Sequence, residues 1–186
     1  MKRKIMIIGC GGIGSYLIPL LDKTGLYEIT VFDPDTVERK NLTYQNFVAA
    51  DVGKTKVISM FSRFKSIKRG EPFPVLTNKQ MDGYDLVICC ADNLDIRKTL
   101  YNSEINWLDL RAQGRNGAIL SYQEDKNKLA GLLSGPDGSF SCQGTSWDGG
   151  EANLHFTHVG VAGLGAEWIQ RWFNKEDTFK HKLVGI

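Results

Sequence analysis

Apolar and polar positions change period several times along this chain, and each change marks an element. Residues 4–8 (KIMII) form a short apolar run closed by glycines, the pattern of a buried strand. Behind them Ile13, Tyr16, Leu17, Leu20 and Leu21 recur at helical spacing. Pro19 falls inside that helix, where it removes a hydrogen bond at a cost of about 3 kcal/mol, so a kink is expected. Residues 28–32 (EITVF) read as a second strand. From Gly53 onward Val57, Met60, Phe61, Phe64 and Ile67 lie at i, i+3, i+4, i+7, which predicts an amphipathic helix with Lys54 and Lys56 in its first turn. Residues 41–47 lack periodicity and read as loop or a single helical turn. Residues 72–76 offer a short edge strand at best, since their prolines cannot donate to a ladder.

Residues 84–90 (YDLVICC) predict a central strand, 93–102 a helix and 105–110 (INWLDL) another strand. Residues 118–122 and 128–132 read as the two strands of a hairpin. Residues 134–153 are a long loop rich in Gly, Ser and Asp. The final helix, 157–174, carries an apolar stripe of Val161, Leu164, Trp168 and Trp172, read as core or dimer interface. Strand and helix alternate before the hairpin and the last helix. That order predicts an α/β fold, a Rossmann-like, doubly wound, mostly parallel sheet with an antiparallel C-terminal edge, in a single domain over residues 1–186.

Composition narrows the function. With 42% hydrophobic and 24% charged residues the chain is an ordinary globular one, neither disordered nor fibrous. A net charge of +2 gives no reason to expect nucleic acid or an anionic membrane as partner. The cluster Arg63, Lys65, Lys68 and Arg69 reads as the solvated face of a helix. No apolar run approaches membrane-spanning length, and the run after the basic N-terminus is too short for a signal peptide. The four cysteines show no CxxC pair, so reduced thiols in a cytoplasmic protein, and no structural zinc, are expected.

Candidate chemistry begins at Gly9-Cys10-Gly11-Gly12-Ile13-Gly14-Ser15, between a strand and a helix. Residues without side chains let an anion approach the backbone, where free N–H groups and the helix dipole favour phosphate. The alternative is a tight strand-to-helix turn with no ligand. Asp33 ends the second strand about twenty residues on, where an acid holds an adenosine ribose, a feature that admits ATP and NAD alike. Asp92 follows the central strand, at the carboxyl end where ligands of such sheets bind, and its other reading is an N-cap for the next helix.

Several fragments together resemble the ThiF/MoeB adenylyltransferases, the family that includes the adenylation domains of ubiquitin-activating enzymes. They are the loop at Gly9 to Ser15, Asp33-x-Asp35-x-Val37 leading into Asn41-Leu42-x-x-Gln45, Val52-Gly53-Lys54-x-Lys56, and Asp92-Asn93 with Arg97. Residues 117–125 and Gly160-x-x-Gly163 extend the similarity over most of the chain. The resemblance implies ATP-dependent activation of a carboxylate, such as the C-terminus of a ubiquitin-like protein or a small peptide, as an acyl-adenylate with release of pyrophosphate. Carried over by position, Gly11 and Gly12 would approach the phosphates, Asp33 would hold the ribose, and Gly9, Ile13, Gly14, Asp35 and Asn93 would belong to the same nucleotide site. Asn41 and Gln45 would line the phosphate side, Lys56 would offset charge at the transferring phosphate, and Asp92 would hold Mg²⁺. A homodimer is implied as well.

Three departures stand out. Tyr44 occupies the position of a family arginine in Asn-Leu-x-Arg-Gln, and the first strand begins almost at the start of this sequence, where relatives carry an arginine-bearing helix. Arg39, Lys40, Arg111 and Arg115 are candidates to make up the charge, Arg111 foremost because it follows a strand's carboxyl end. The paired CxxC zinc motifs are missing, and Cys142, with His155 and His158 after it, reads as an inert thiol rather than a reactive one. A degenerate member that binds nucleotide or a partner without catalysis is the second reading, and an NAD-dependent enzyme the third.

Overall fold

A computed structural model describes residues 2–71, 73, 75–131, 142–143 and 153–185. Its strands are β1 (Arg3–Ile8), β2 (Tyr27–Phe32), β3 (Ile67–Arg69), β4 (Leu86–Cys89), β5 (Trp107–Gln113), β6 (Asn116–Ser121) and β7 (His181–Gly185). They form one seven-stranded sheet in the order β3-β2-β1-β4-β5-β6-β7. The first five in that row run parallel, whereas β6 is antiparallel to both of its neighbours. Parallel strands need crossovers, and these are supplied by α1 (Gly14–Asp22), α2 (Lys56–Arg63), α3 (Asn78–Met81) and α4 (Leu94–Tyr101). Two further helices, α5 (Lys126–Gly131) and α6 (Thr157–Phe173), follow β6.

The unbroken apolar run of β1 is explained by cover on both faces. Ile5 and Ile7 join Leu17, Val57, Met60 and Trp168 from α1, α2 and α6 in one core. Met6 and Ile8 point the other way, into a second core with Met81, Leu100, Tyr101 and Trp107. On α6 the stripe belongs to the core: Val161 and Trp168 are buried, while Leu164 and Trp172 pack against it from its margin. Both indole N–H groups find acceptors, Trp168 on the Phe179 carbonyl at 2.8 Å and Trp172 on the Tyr122 hydroxyl at 3.1 Å.

Four expectations are corrected. Ile67 is a strand residue and not the end of α2, because the chain turns extended at Phe64 and Ser66 hands its carbonyl to Ile29 N–H at 2.9 Å. The basic cluster is therefore split: Arg63 closes α2, whereas Lys68 lies on β3 and pairs with Glu28 across the strands at 2.9 Å. Phe73, Val75 and Leu76 form no strand; the edge is β3. The hairpin partner of residues 118–122 is β5, not residues 128–132, which begin inside α5. Asp125 starts that helix by accepting the N–H of Asn127 at 2.8 Å, and β6 takes β7 as its other neighbour. Leu132 and most of the loop 134–153 lie outside the described residues.

Pro19 sits inside α1 as expected, so the Ser15 carbonyl loses its helical donor. Among the described residues no helix is long and apolar enough to cross a membrane.

Candidate functional site

The carboxyl ends of β1, β2, β4 and β5 open into one cavity of about 1390 Å³. Gly9, at φ +95°, turns the chain out of β1, and a Cβ there would lie 2.7 Å from Ala91 N. Gly14 starts α1 so close to Gly9 that a Cβ would strike the Gly9 carbonyl. These two glycines are required by packing, since backbone stands on the other side. Gly11 is different. Its missing side chain faces open cavity, with Gln45 the nearest atom group at 3.8 Å, whereas the space over Gly12 is taken by Cys142 Sγ.

Asp33 is anchored by two backbone donors, Cys10 N–H at 2.6 Å and Asp35 N–H at 2.8 Å, which ties the tip of β2 to the glycine loop. Burial raises its pKa, and Lys56 and the two N–H groups pull it back only in part. Lys56 is almost fully buried and donates to Asp35 Oδ2 at 2.7 Å. Its placement follows from the backbone: Lys56 N–H bonds to the Asp35 carbonyl at 2.9 Å and Val37 N–H to that of Lys54 at 2.8 Å, so the start of α2 is stitched to the turn after β2. Burial works against the lysine charge, but Asp33 and the bond to Asp35 outweigh it and raise its pKa. Lys54 lies outside the helix and is exposed.

Asn41 spends its side-chain oxygen on Glu38 N–H at 2.8 Å inside a 3₁₀ turn, Arg39–Thr43, and Gln45 N–H bonds to the Asn41 carbonyl at 2.8 Å. Gln45 is buried, and its Oε1 has no partner among the described residues. Asn93, and not Asp92, caps α4, accepting from Asp95 N–H at 2.8 Å and Ile96 N–H at 3.1 Å. Asp92 lines the cavity beside it. A single carboxylate suits a Mg²⁺ ion, which keeps waters and phosphate oxygens as its other ligands.

Thus Gly9, Gly11, Gly12, Ile13, Asp33, Asp35, Asn41, Gln45, Lys56, Asp92, Asn93 and Arg111 all border the same cavity, and Gly14 supports its floor. Arg39 and Arg115 are exposed, whereas Lys40 borders the cavity and pairs with Glu38 at 3.0 Å. Tyr44 is largely buried but still borders the cavity, and its carbonyl is bonded to His158 Nε2 at 2.8 Å. Cys142 sits on Gly12 with its carbonyl held by Gly114 N–H at 3.0 Å, and burial pushes its thiol up to about 11. It is a thiol at neutral pH. His155 is held through its backbone by the Gln143 side chain.

Sequence reasoning missed an apolar wall. Phe32 and Phe73 pack with ring centroids 5.3 Å apart, and with Leu76 and Ile96 they flank the Asp33 end of the cavity. An aromatic closing β2 directly before Asp33 was the available signal. It also missed Asp109 and Tyr101, which are buried behind Arg111.

A doubly wound sheet with a glycine loop, an acid after β2 and an acid after β4 defines an α/β protein whose ligand cleft crosses the strand tips. The chain belongs to the ThiF family, whose model matches residues 1–142. It is 28% identical over 117 residues to the adenylyltransferase and sulfurtransferase UBA4 of Yarrowia lipolytica, covering 56% of this chain and 28% of that protein. It is 30% identical over 142 residues to the molybdopterin-synthase adenylyltransferase of Salmonella typhimurium, covering 66% of this chain and 55% of that one. Among solved structures, E. coli MccB with ATP aligns over 93% of this chain and 56% of its own, with a TM-score of 0.65 at 20% identity, a likeness of fold.

Proposed function

We propose that this chain, as one domain over residues 1–186, is an ATP-dependent adenylyltransferase that activates a carboxylate with release of pyrophosphate. The observation that carries the reading is the convergence on one cavity of Gly11, Asp33, Gln45, Lys56 and Asp92. Relatives named for adenylyl transfer support it, as do the ubiquitin-like modifier-activating enzymes among them and the MccB structures with MccA. By that analogy the substrate is the C-terminal carboxylate of a ubiquitin-like protein or a peptide, and the assembly is a homodimer.

In this reading the Phe32–Phe73 wall takes the adenine, Asp33 the ribose, and the first turn of α1 with Gln45 the phosphates. The carboxylate oxygen bonds to the α-phosphorus as the bond to the pyrophosphate oxygen breaks, the pyrophosphate leaving with the electron pair. Such a transfer asks the protein for position and for charge, which Lys56 supplies directly. Mg²⁺ held by Asp92 would shield the phosphate oxygens when bound. Thermal unfolding tests the reading: ATP with Mg²⁺ raises the midpoint by mass action, NAD does not, and Lys56→Ala and Asp92→Ala abolish the shift. A shift by NAD alone would overturn it.

Tyr44 at the place of the family arginine favours a second reading, nucleotide binding without catalysis. Incorporation of labelled pyrophosphate into ATP when carboxylate substrates are added separates the two.

A further inference from the structure

Gly70 follows β3 directly, and the three nearest atoms that a Cβ there would meet all belong to the Phe32 ring, inside van der Waals contact. The backbone itself does not call for glycine. Its φ lies outside the left-handed region, and its N–H continues the ladder to the Val31 carbonyl at 2.9 Å. Position 70 is bare because the ring lies across it.

Strand register explains what that arrangement leaves open. Val31 is level with Arg69, so one step on Phe32 is level with Gly70, and on its other side Phe32 is level with Ile8 of β1. Residues level on neighbouring strands share a face, and this is the face of α3 and α4, where Ile8 meets Met81 and Leu100. Phe32 can lean over Gly70 at the sheet edge or over Ile8 toward the middle of the cleft, and it takes the edge. Phe73 packs on the ring, and the space over Ile8 and Ala91 belongs to the cavity, with Leu76 and Ile96 completing an apolar lining. The Phe32 carbonyl accepts the Gly9 N–H at 2.8 Å, so its backbone is fixed to the glycine loop and only the half-buried ring can yield.

We infer that Gly70 is a positioning residue that sets base selectivity: by letting Phe32 lie back on the sheet edge, it keeps the slot over Ile8 and Ala91 open to a two-ring base; this rests on the nucleotide reading above. An apolar wall recognises a base by its π-face, so the room available for stacking decides which base is held best. A methyl group at position 70 drives the ring over Ile8 and across the slot. A purine, the larger base, then loses more contact than a pyrimidine. Asp33 keeps its backbone donors Cys10 and Asp35, and Lys56 keeps its tie to Asp35, so the ribose and phosphate side is unaffected.

The test uses the intact protein with Mg²⁺ in calorimetry against ATP, CTP and inorganic triphosphate. Wild-type protein is expected to bind ATP roughly tenfold or more tightly than triphosphate, the worth of one stacked base, with CTP between them. In Gly70→Ala the ATP-to-CTP ratio falls to about one, while triphosphate binds as before and the melting curve stays close to wild type, because the ring yields into open cleft. In a Phe32→Leu background, where the displaced ring is gone, Gly70→Ala no longer moves the ratio, a coupling that general damage to the fold would not produce. An ATP-to-CTP ratio kept in Gly70→Ala, a loss shared equally by triphosphate, an unfolded Gly70→Ala protein, or the same fall in the Phe32→Leu background each overturns the inference. Equal wild-type binding of ATP and triphosphate also defeats only this inference, whereas no binding of either defeats the nucleotide reading itself.

Discussion

Asn46 donates its side-chain amide to the Ser15 carbonyl at 3.1 Å, the acceptor that Pro19 leaves without a helical donor. The Asn46 backbone N–H also bonds to Ser15 Oγ at 3.0 Å, so the segment before α2 is pinned to α1 at the proline gap. Asn46→Ala is expected to cost about 1–2 kcal/mol in urea unfolding. In a Pro19→Ala background position 19 regains its N–H, and the cost of Asn46→Ala is expected to shrink. A double-mutant cycle with no coupling would refute the link.

The glycine loop predicts an ordering of substitutions. Gly14→Ala meets the Gly9 carbonyl, and Gly9→Ala meets the backbone of Ala91 at positive φ. Both are expected to lose about 3 kcal/mol or more, because backbone cannot rotate aside. Gly11→Ala meets only cavity, so its melting curve is expected to stay within about 0.5 kcal/mol of wild type while ATP binding weakens. Equal destabilisation at all three positions would contradict this.

His158 sets an acid limit. Burial lowers its pKa, and its Nε2 bonds to the Tyr44 carbonyl. A base with a depressed folded pKa contributes stability that is present above its unfolded value, about 6.5, and is lost as pH falls through the folded one. Denaturant midpoints are therefore expected to drop between pH 7 and pH 5, less steeply in His158→Gln. An identical slope in the variant would place the effect elsewhere.

Lys56 titrates in the other direction. Its raised pKa means that the stability of the Asp33–Lys56–Asp35 cluster is complete below about 10.4, the unfolded lysine value, and fades only as pH rises through the folded one. Lys56→Ala is expected to reduce pyrophosphate exchange by roughly 10²–10³, as loss of a charge-stabilising group does. Asp35→Asn is expected to do far less, since that carboxylate is 64% exposed.

Much of this was legible in the chain itself. β1, β2, β4, α4 and α6 announced themselves by length and period, and the motif residues did meet at one cleft because parallel strands deliver their carboxyl ends to one side. What was hidden depended on partners distant in sequence. Ile67 continues the helical spacing of α2 by coincidence, and only the offered edge of β2 draws it into a strand. Residues 128–132 are a short run with two leucines that a strand would also accept, but Asp125 caps a helix there, and β6 pairs with β5 and with β7, whose side chains are mostly exposed and carry little periodic signal. The Asp109 network escaped notice because Arg97 and Tyr101 of α4 and Arg111 of β5 meet its carboxylate in the middle of an apolar strand.

The row of strand tips from Asp33 to Arg111 is spaced by backbone ladders, and no side-chain exchange can stretch or shorten it. The sheet therefore behaves as a ruler with fixed graduations. Altering what is held at one graduation leaves the others in place, so grafting a different β5–β6 turn would retune the far end of the cleft without disturbing the near one.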